Sequence, residues 1–201
     1  GAIITVPTFF IQIGLSQLLN DLQPFLAFIV VEFIKWFFVI AFTEELLKYI
    51  VVRMNIIDSY VLDEPLDIML YMVVAALGFS AVENILYLFS PIDGVSFAVI
   101  LKTTIIISFI RFIGATFLHT LCSALLGYFL ALSSLRTKKR LRLTITGILL
   151  ATLMHGLYNF SITVFQAPFN FIIPIIVIII LVIFMVYDFD EIKKIKSICK
   201  I

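Results

Sequence analysis

The sequence predicts an all-α, polytopic membrane bundle of about six transmembrane helices plus one interfacial or re-entrant segment. Three observations carry this. The 201 residues are 63% hydrophobic and only 13% charged, whereas soluble domains run at about 45–50% apolar and about 25% charged. Apolar stretches near the roughly 20 residues that a spanning helix needs alternate with short polar breaks. Lysines and arginines gather at "VVRMN", "RTKKRLR" and "EIKKIKSICK", while "NDLQP", "SPIDG" and "QAP" carry none. No repeat or low-complexity segment divides the chain, so residues 1–201 read as one domain.

Each element has its own local reason. The first apolar run, 2–20, opens behind Gly1 with no charged region before it, which reads as a membrane segment and not a signal peptide. Residues 25–53, 66–90, 143–166 and 168–187 are further spans, with Pro and Gly marking the breaks. The run 95–135 would be about 61 Å long as one helix. The positive-inside rule puts every basic loop in the cytoplasm only if this run crosses once. Residues 109–135 are therefore read as the span and 95–108 as the interfacial or re-entrant piece, with the C-terminus cytoplasmic. A net charge of +1 and the absence of a basic domain point away from nucleic acid and leave the lipid bilayer as the surrounding partner. Cys122 and Cys199 lie far apart in sequence and are not expected to pair.

Polar residues inside spans are expensive and mark function by default. They are Glu44, Glu45 and Lys48 in the second span, Glu83 and Asn84 in the third, Arg111, His119 and Ser123 in the fourth, and His155 and Asn159 in the fifth. Most have a bland alternative. Glu44 with Lys48, four residues apart, could be a structural ion pair with Glu45 snorkelling. A single His could be an interhelical hydrogen bonder, Ser123 a small interface residue, Asn84 and Asn159 interhelical glue, and Lys102 a snorkelling cation. Depth argues for more. Counted from the outer helix ends, Glu83, His119 and His155 lie roughly 10–16 Å in, and Glu44 joins them if its span enters near Lys35 and Trp36. Independent structural hydrogen bonds have no reason to share a layer.

Carboxylates and imidazoles around a cavity can activate water, and a His–Asn pair can stabilise an oxyanion. That is the equipment of a hydrolase. A serine triad fits less well, because Ser123 is one turn from His119 with no elbow motif. "HExxH" is absent, yet His119, His155 and a carboxylate, Glu44 or Glu83, form a donor set that zinc accepts. The cofactor expectation is accordingly either none or a divalent metal such as zinc. An ion- or proton-coupled transporter would also need mid-membrane acids and histidines. Against it stands the absence of repeats and of matching broken half-helices. A catalytically dead scaffold that binds a membrane helix is the third class.

"TEELLK", "FSAVEN", "HTLCS" and "HGLYN", in that order over roughly residues 40–160, resemble the motifs of the PrsW family of membrane proteases, relatives of the type II CAAX prenyl proteases. The CAAX relatives carry His where this chain has Glu83, and Arg at a longer spacing than Lys48, which favours PrsW over a prenyl-protein endopeptidase. The resemblance implies an intramembrane-type endopeptidase. Its substrate would be a membrane-anchored protein with a single transmembrane span, such as an anti-sigma factor, cut first near the outer membrane boundary. On this reading Glu44 or Glu45 activates the water with His119, and His155 with Asn159 stabilises the oxyanion. Lys48 keeps a glutamate ionised, Glu83 orients or ligates, and Asn84 and Ser123 support.

Overall fold

A computed structural model of the chain describes residues 1–57, 62, 64–88 and 97–194. The "SPIDG" break, residues 95 and 96, Cys199 and the Lys102 side chain lie outside what is described. The described residues are helical nearly throughout. Helix α1 (Ala2–Leu22) ends in a 3₁₀ turn at Gln23–Phe25. A continuous rod comes next, made of α2 (Phe28–Ile34), a π-helix (Lys35–Phe42), α3 (Thr43–Val52) and a second π-helix (Arg53–Ile57). Then come α4 (Pro65–Leu88), α5 (Phe97–Leu135), α6 (Arg140–Val164) and α7 (Phe169–Lys193).

Among the described residues, five stretches are long and apolar enough to cross a membrane: Ala2–Phe25, Pro65–Tyr87, Arg111–Leu135, Arg140–Val164 and Phe169–Lys193. The 28–57 rod is the sixth helical stretch. Its central charges, Glu44, Glu45 and Lys48, are buried against protein and not against lipid. The segment expected to be interfacial or re-entrant takes a simpler form from residue 97 onward. It continues into α5 with no break, giving one helix of 39 residues. Such a helix is about 58 Å long, well beyond the roughly 30 Å hydrocarbon core.

Helix α5 forms the centre of the bundle. Of its apolar window 61% is buried, against 17% for α1 and for α7. Its Leu118, Leu121, Cys122, Leu126 and Leu130 meet Ile68, Met72 and Ala75 of α4 and Leu181 of α7 in one core. Large side chains on the outside, such as Phe171 and Ile183 of α7, remain exposed for lipid to cover. Lipid supplies no hydrophobic drive between helices, so close backbone approach matters more than in water. Gly127 of α5 supplies such an approach, since a Cβ there would lie 2.7 Å from the Met69 Cα of α4. Gly127→Val is expected to overpack this crossing by about 1–3 kcal/mol and lower the thermal midpoint in detergent. Gly14→Ala, with nothing within 4 Å of its added Cβ, should leave the midpoint equal or higher. Equal midpoints for both variants would show that the crossing yields.

Candidate active site

The rod reaches the site through a change of helical register. A π turn, with its i→i+5 hydrogen bonds, inserts a residue into the α repeat and rotates the helix beyond it by roughly 100°. Before Lys35–Phe42 the rod exposes Phe28, Ile29 and Phe33; after it, Glu44, Glu45 and Lys48 are buried in the bundle. The Thr43 hydroxyl continues the wide turn by donating to the Phe38 carbonyl at 3.3 Å. Opposite, Gly156 lets the rod approach α6, since a Cβ there would lie 2.6 Å from the Phe37 ring.

A continuous polar chain results, drawn from four helices. Arg111 of α5 donates to Glu83 Oε1 of α4 at 3.3 Å. His119 Nε2 donates to Glu83 Oε2 at 2.9 Å, and His119 Nδ1 accepts from Lys48 Nζ at 2.8 Å. Lys48 donates onward to Glu45 Oε1 at 2.8 Å, and His155 Nδ1 donates to the same oxygen at 3.0 Å. The tautomers are fixed by the partners, because an ammonium can only donate and a carboxylate can only accept. Ser123 adds a long hydrogen bond to Glu45 Oε2 at 3.5 Å. The two imidazoles stand perpendicular with ring centres 4.8 Å apart.

Glu44 stands apart from this chain. Gln12 of α1 donates to its Oε1 at 2.9 Å. Its Oε2 is buried with no hydrogen-bond partner, 3.8 Å from His119 Nδ1 and 3.9 Å from His155 Nε2. It borders a cavity of about 1070 Å³ whose wall also includes Glu83, Arg111, His119, His155, Tyr158 and Asn159. Glu45 and Lys48 form no part of that wall. The predicted residues thus divide. Glu44, Glu83, His119, His155 and Asn159 meet at the cavity. Glu45, Lys48 and Ser123 lie behind it, and Asn84 donates to Thr116 at 3.1 Å, away from the wall. Two bland alternatives also resolve. Lys48 pairs with Glu45 at i+3, not with Glu44 at i+4, and Glu45 is fully buried and not snorkelling.

Glu44, His119 and His155 each offer one ligand atom, all within 4.8 Å of one another. Zinc holds nitrogen and oxygen ligands at about 2.0–2.2 Å in tetrahedral geometry, so two ligand atoms on one ion stand about 3.3–3.6 Å apart; the separations of 3.8 and 3.9 Å from Glu44 Oε2 to the two imidazoles are a few tenths of an ångström wider. Among the described residues Glu44 Oε2 and His155 Nε2 make no protein hydrogen bond, whereas the single lone pair of His119 Nδ1 accepts from Lys48 and becomes a ligand only where Lys48 releases it. Carboxylates behind both histidines, Glu45 and Glu83, complete the outer support that metal-bound imidazoles usually have. The donor set fits a divalent metal.

Sequence reasoning gives no role to Gln12 and none to Arg111, whose guanidinium also stacks 3.3 Å over the Tyr87 ring. The signal for Gln12 is an amide inside the otherwise apolar "TFFIQIGL", too slight to weigh because helix α1 offers no motif.

The profile described as "PrsW family intramembrane metalloprotease" matches residues 1–187. "Protease PrsW" of Oceanobacillus iheyensis is 30% identical over 182 residues, covering 88% of this chain and 75% of that protein. "Protease PrsW" of Geobacillus kaustophilus is 31% identical over 119 residues, 59% of this chain and 48% of the relative. "Protease PrsW" of Bacillus subtilis is 27% identical over 137 residues, 68% and 57% respectively. No solved structure matches the chain. With four polar motifs drawn to one cavity and the family profile running through nearly the whole length, this chain belongs to the PrsW family of intramembrane metalloproteases.

Proposed function

We propose that this multi-pass membrane protease cuts a membrane-anchored protein with a single transmembrane span near its outer boundary, with Glu44 acting on the hydrolytic water. The observation that carries the reading is Glu44 Oε2, a buried carboxylate oxygen on the cavity wall, unpartnered and flanked by two imidazoles. Gln12 fixes Oε1 and leaves Oε2 free either to accept a proton from water held against it or to ligate a metal, two roles that one oxygen does not fill at once. Glu44, His119 and His155 would hold a divalent metal, which would supply Lewis-acid polarisation of water or the scissile carbonyl, and Glu44 would then act on the water as its ligand. Glu83 and Glu45 fix the orientation of the two imidazoles from behind. Asn159, one turn beyond His155 on the same wall, is the donor for the developing oxyanion.

Orientation supports the outer boundary. Arg53, Arg136, Lys138, Lys139, Arg140, Arg142, Lys193 and Lys194 stand at the end of the bundle remote from the site. The link 165–168 at the site's end is uncharged. The positive-inside rule then puts the basic end and the C-terminus in the cytoplasm and the site toward the other face. A cut there is the first in a cascade, and an anti-sigma factor is the substrate class in view. The test moves a cleavable segment along a single-span substrate and maps product termini by mass spectrometry. Termini in the outer third are expected; termini in the cytoplasmic third would overturn the orientation.

A further inference from the structure

Helix α1 is among the two least buried helices of the bundle, yet its faces differ. Ile3, Phe10 and Leu18 are 89%, 66% and 63% exposed on the outside. Thr8, Gln12, Ser16 and Asn20 recur every four residues, and all four line the catalytic cavity. A spacing of four makes one stripe along a helix. Gln12 is held against Glu44, so the stripe crosses the catalytic level at its second member, with Thr8 one turn before it. Ser16 and Asn20 carry it one and two turns further, toward the 3₁₀ turn at Gln23–Phe25. Among the described residues their side chains make no hydrogen bond within the protein. The Thr8 hydroxyl donates to the Ile4 carbonyl at 2.6 Å and keeps its oxygen free to accept. Helix α1 packs on α4 and on the 28–57 rod. Across the cavity stand Arg111, Tyr158, Asn159 and Thr163 of α5 and α6.

The chemistry of the reaction says what such a wall is for. A peptide bond inside a helix has its carbonyl engaged in the i→i−4 ladder and its faces covered, so it must be unwound before water can attack. Unwinding leaves several N–H and C=O groups bare, which hydrocarbon does not tolerate. A protease working at this depth has to offer those groups replacement partners. Four helical residues rise about 6.0 Å, and two residues of an extended chain rise about 6.4–6.8 Å. A stripe at helical spacing four therefore meets every second residue of an extended strand in near register over two or three steps.

We propose that the Thr8–Gln12–Ser16–Asn20 face of α1 is the binding wall for the unwound substrate backbone, its polar side chains pairing with substrate amides as the chain descends to Glu44. The proposal rests on the single-span substrate reading above. These are positioning residues. They act on the bound chain equally before and during attack, so their loss falls on KM and not on kcat.

The test uses the full-length protein in lipid nanodiscs and a synthetic peptide with one apolar span of about 20 residues as probe. Ser16→Ala with Asn20→Leu is expected to raise KM about three- to tenfold, the equivalent of one or two hydrogen bonds, with kcat within about twofold. Leu18→Ala, on the lipid face, is the control for KM. In parallel, a photo-crosslinking benzophenone residue at position 20 should capture the peptide, and the same residue at position 18 should not. Unchanged KM together with equal capture from both positions, while the wild-type chain still cleaves the peptide, overturns the wall and leaves the substrate reading standing. No cleavage and no capture from either position overturns the substrate reading on which the wall depends.

Discussion

Glu44→Gln is expected to lower turnover by about 10²–10⁴-fold, the range for removing a general base or an essential electrostatic group, with the fold intact. Glutamine preserves volume and can still pair with Gln12, so the thermal midpoint in detergent should move little. Metal content should fall with activity, because a neutral amide is a far poorer ligand than a carboxylate. Wild-type protein should hold about one divalent ion per chain by elemental analysis and lose activity to a strong chelator. His119→Ala and His155→Ala should behave alike in both assays, since each removes one of three donors. Near-normal turnover in Glu44→Gln, or full activity in demonstrably metal-free wild-type protein, would sink the assignment.

Lys48→Met carries the largest stability effect. Both Lys48 and Glu45 have fully buried side chains, paired at 2.8 Å. Removing one partner of such a pair leaves an uncompensated charge and costs about 3–5 kcal/mol. The thermal midpoint should fall sharply, and Glu45→Gln alone should fall comparably for the mirror reason. The double variant Lys48→Met with Glu45→Gln should recover much of the loss, because both charges have gone together. Additive losses in that cycle would mean that the pair is not the coupled unit its geometry describes. The two adjacent glutamates thus separate by phenotype: Glu44 fails in catalysis and Glu45 in folding.

Much of this is legible in the sequence. Spans of about 20 apolar residues announce themselves by length, and the observed helices run within a few residues of them except at the start of α5, twelve residues earlier than the span read there, and at the end of α7, six residues later. The common depth of Glu44, Glu83, His119 and His155 is legible because helical rise converts residue counts into ångströms; the four do meet around one cavity. Other features depend on information that a count does not carry. Lys48 lies within reach of both acids by spacing, and only the packing of α3 against α5 and α6 decides for Glu45. The π turn at Lys35–Phe42 is set by how the rod fits its neighbours, and "KWFFVIAF" reads locally as ordinary helix. The unbroken α5 is hidden because the charge rule fixes the number of crossings and is silent about helix beyond the bilayer.

The polar chain from Arg111 to His155 has a direction at every link. Arg111 and Lys48 can only give hydrogens, and Glu83 and Glu45 are each approached by a donor on both sides. A proton wire needs each member to accept from one neighbour while donating to the next, so that the whole file can reverse after a proton passes. Here the file points into Glu83 from both ends and into Glu45 from both ends, and neither carboxylate has a hydrogen to hand on. In this arrangement the chain is an insulator. Four helices' worth of acids, bases and imidazoles, which by composition alone would also suit a proton-coupled carrier, are wired so as to hold two rings still.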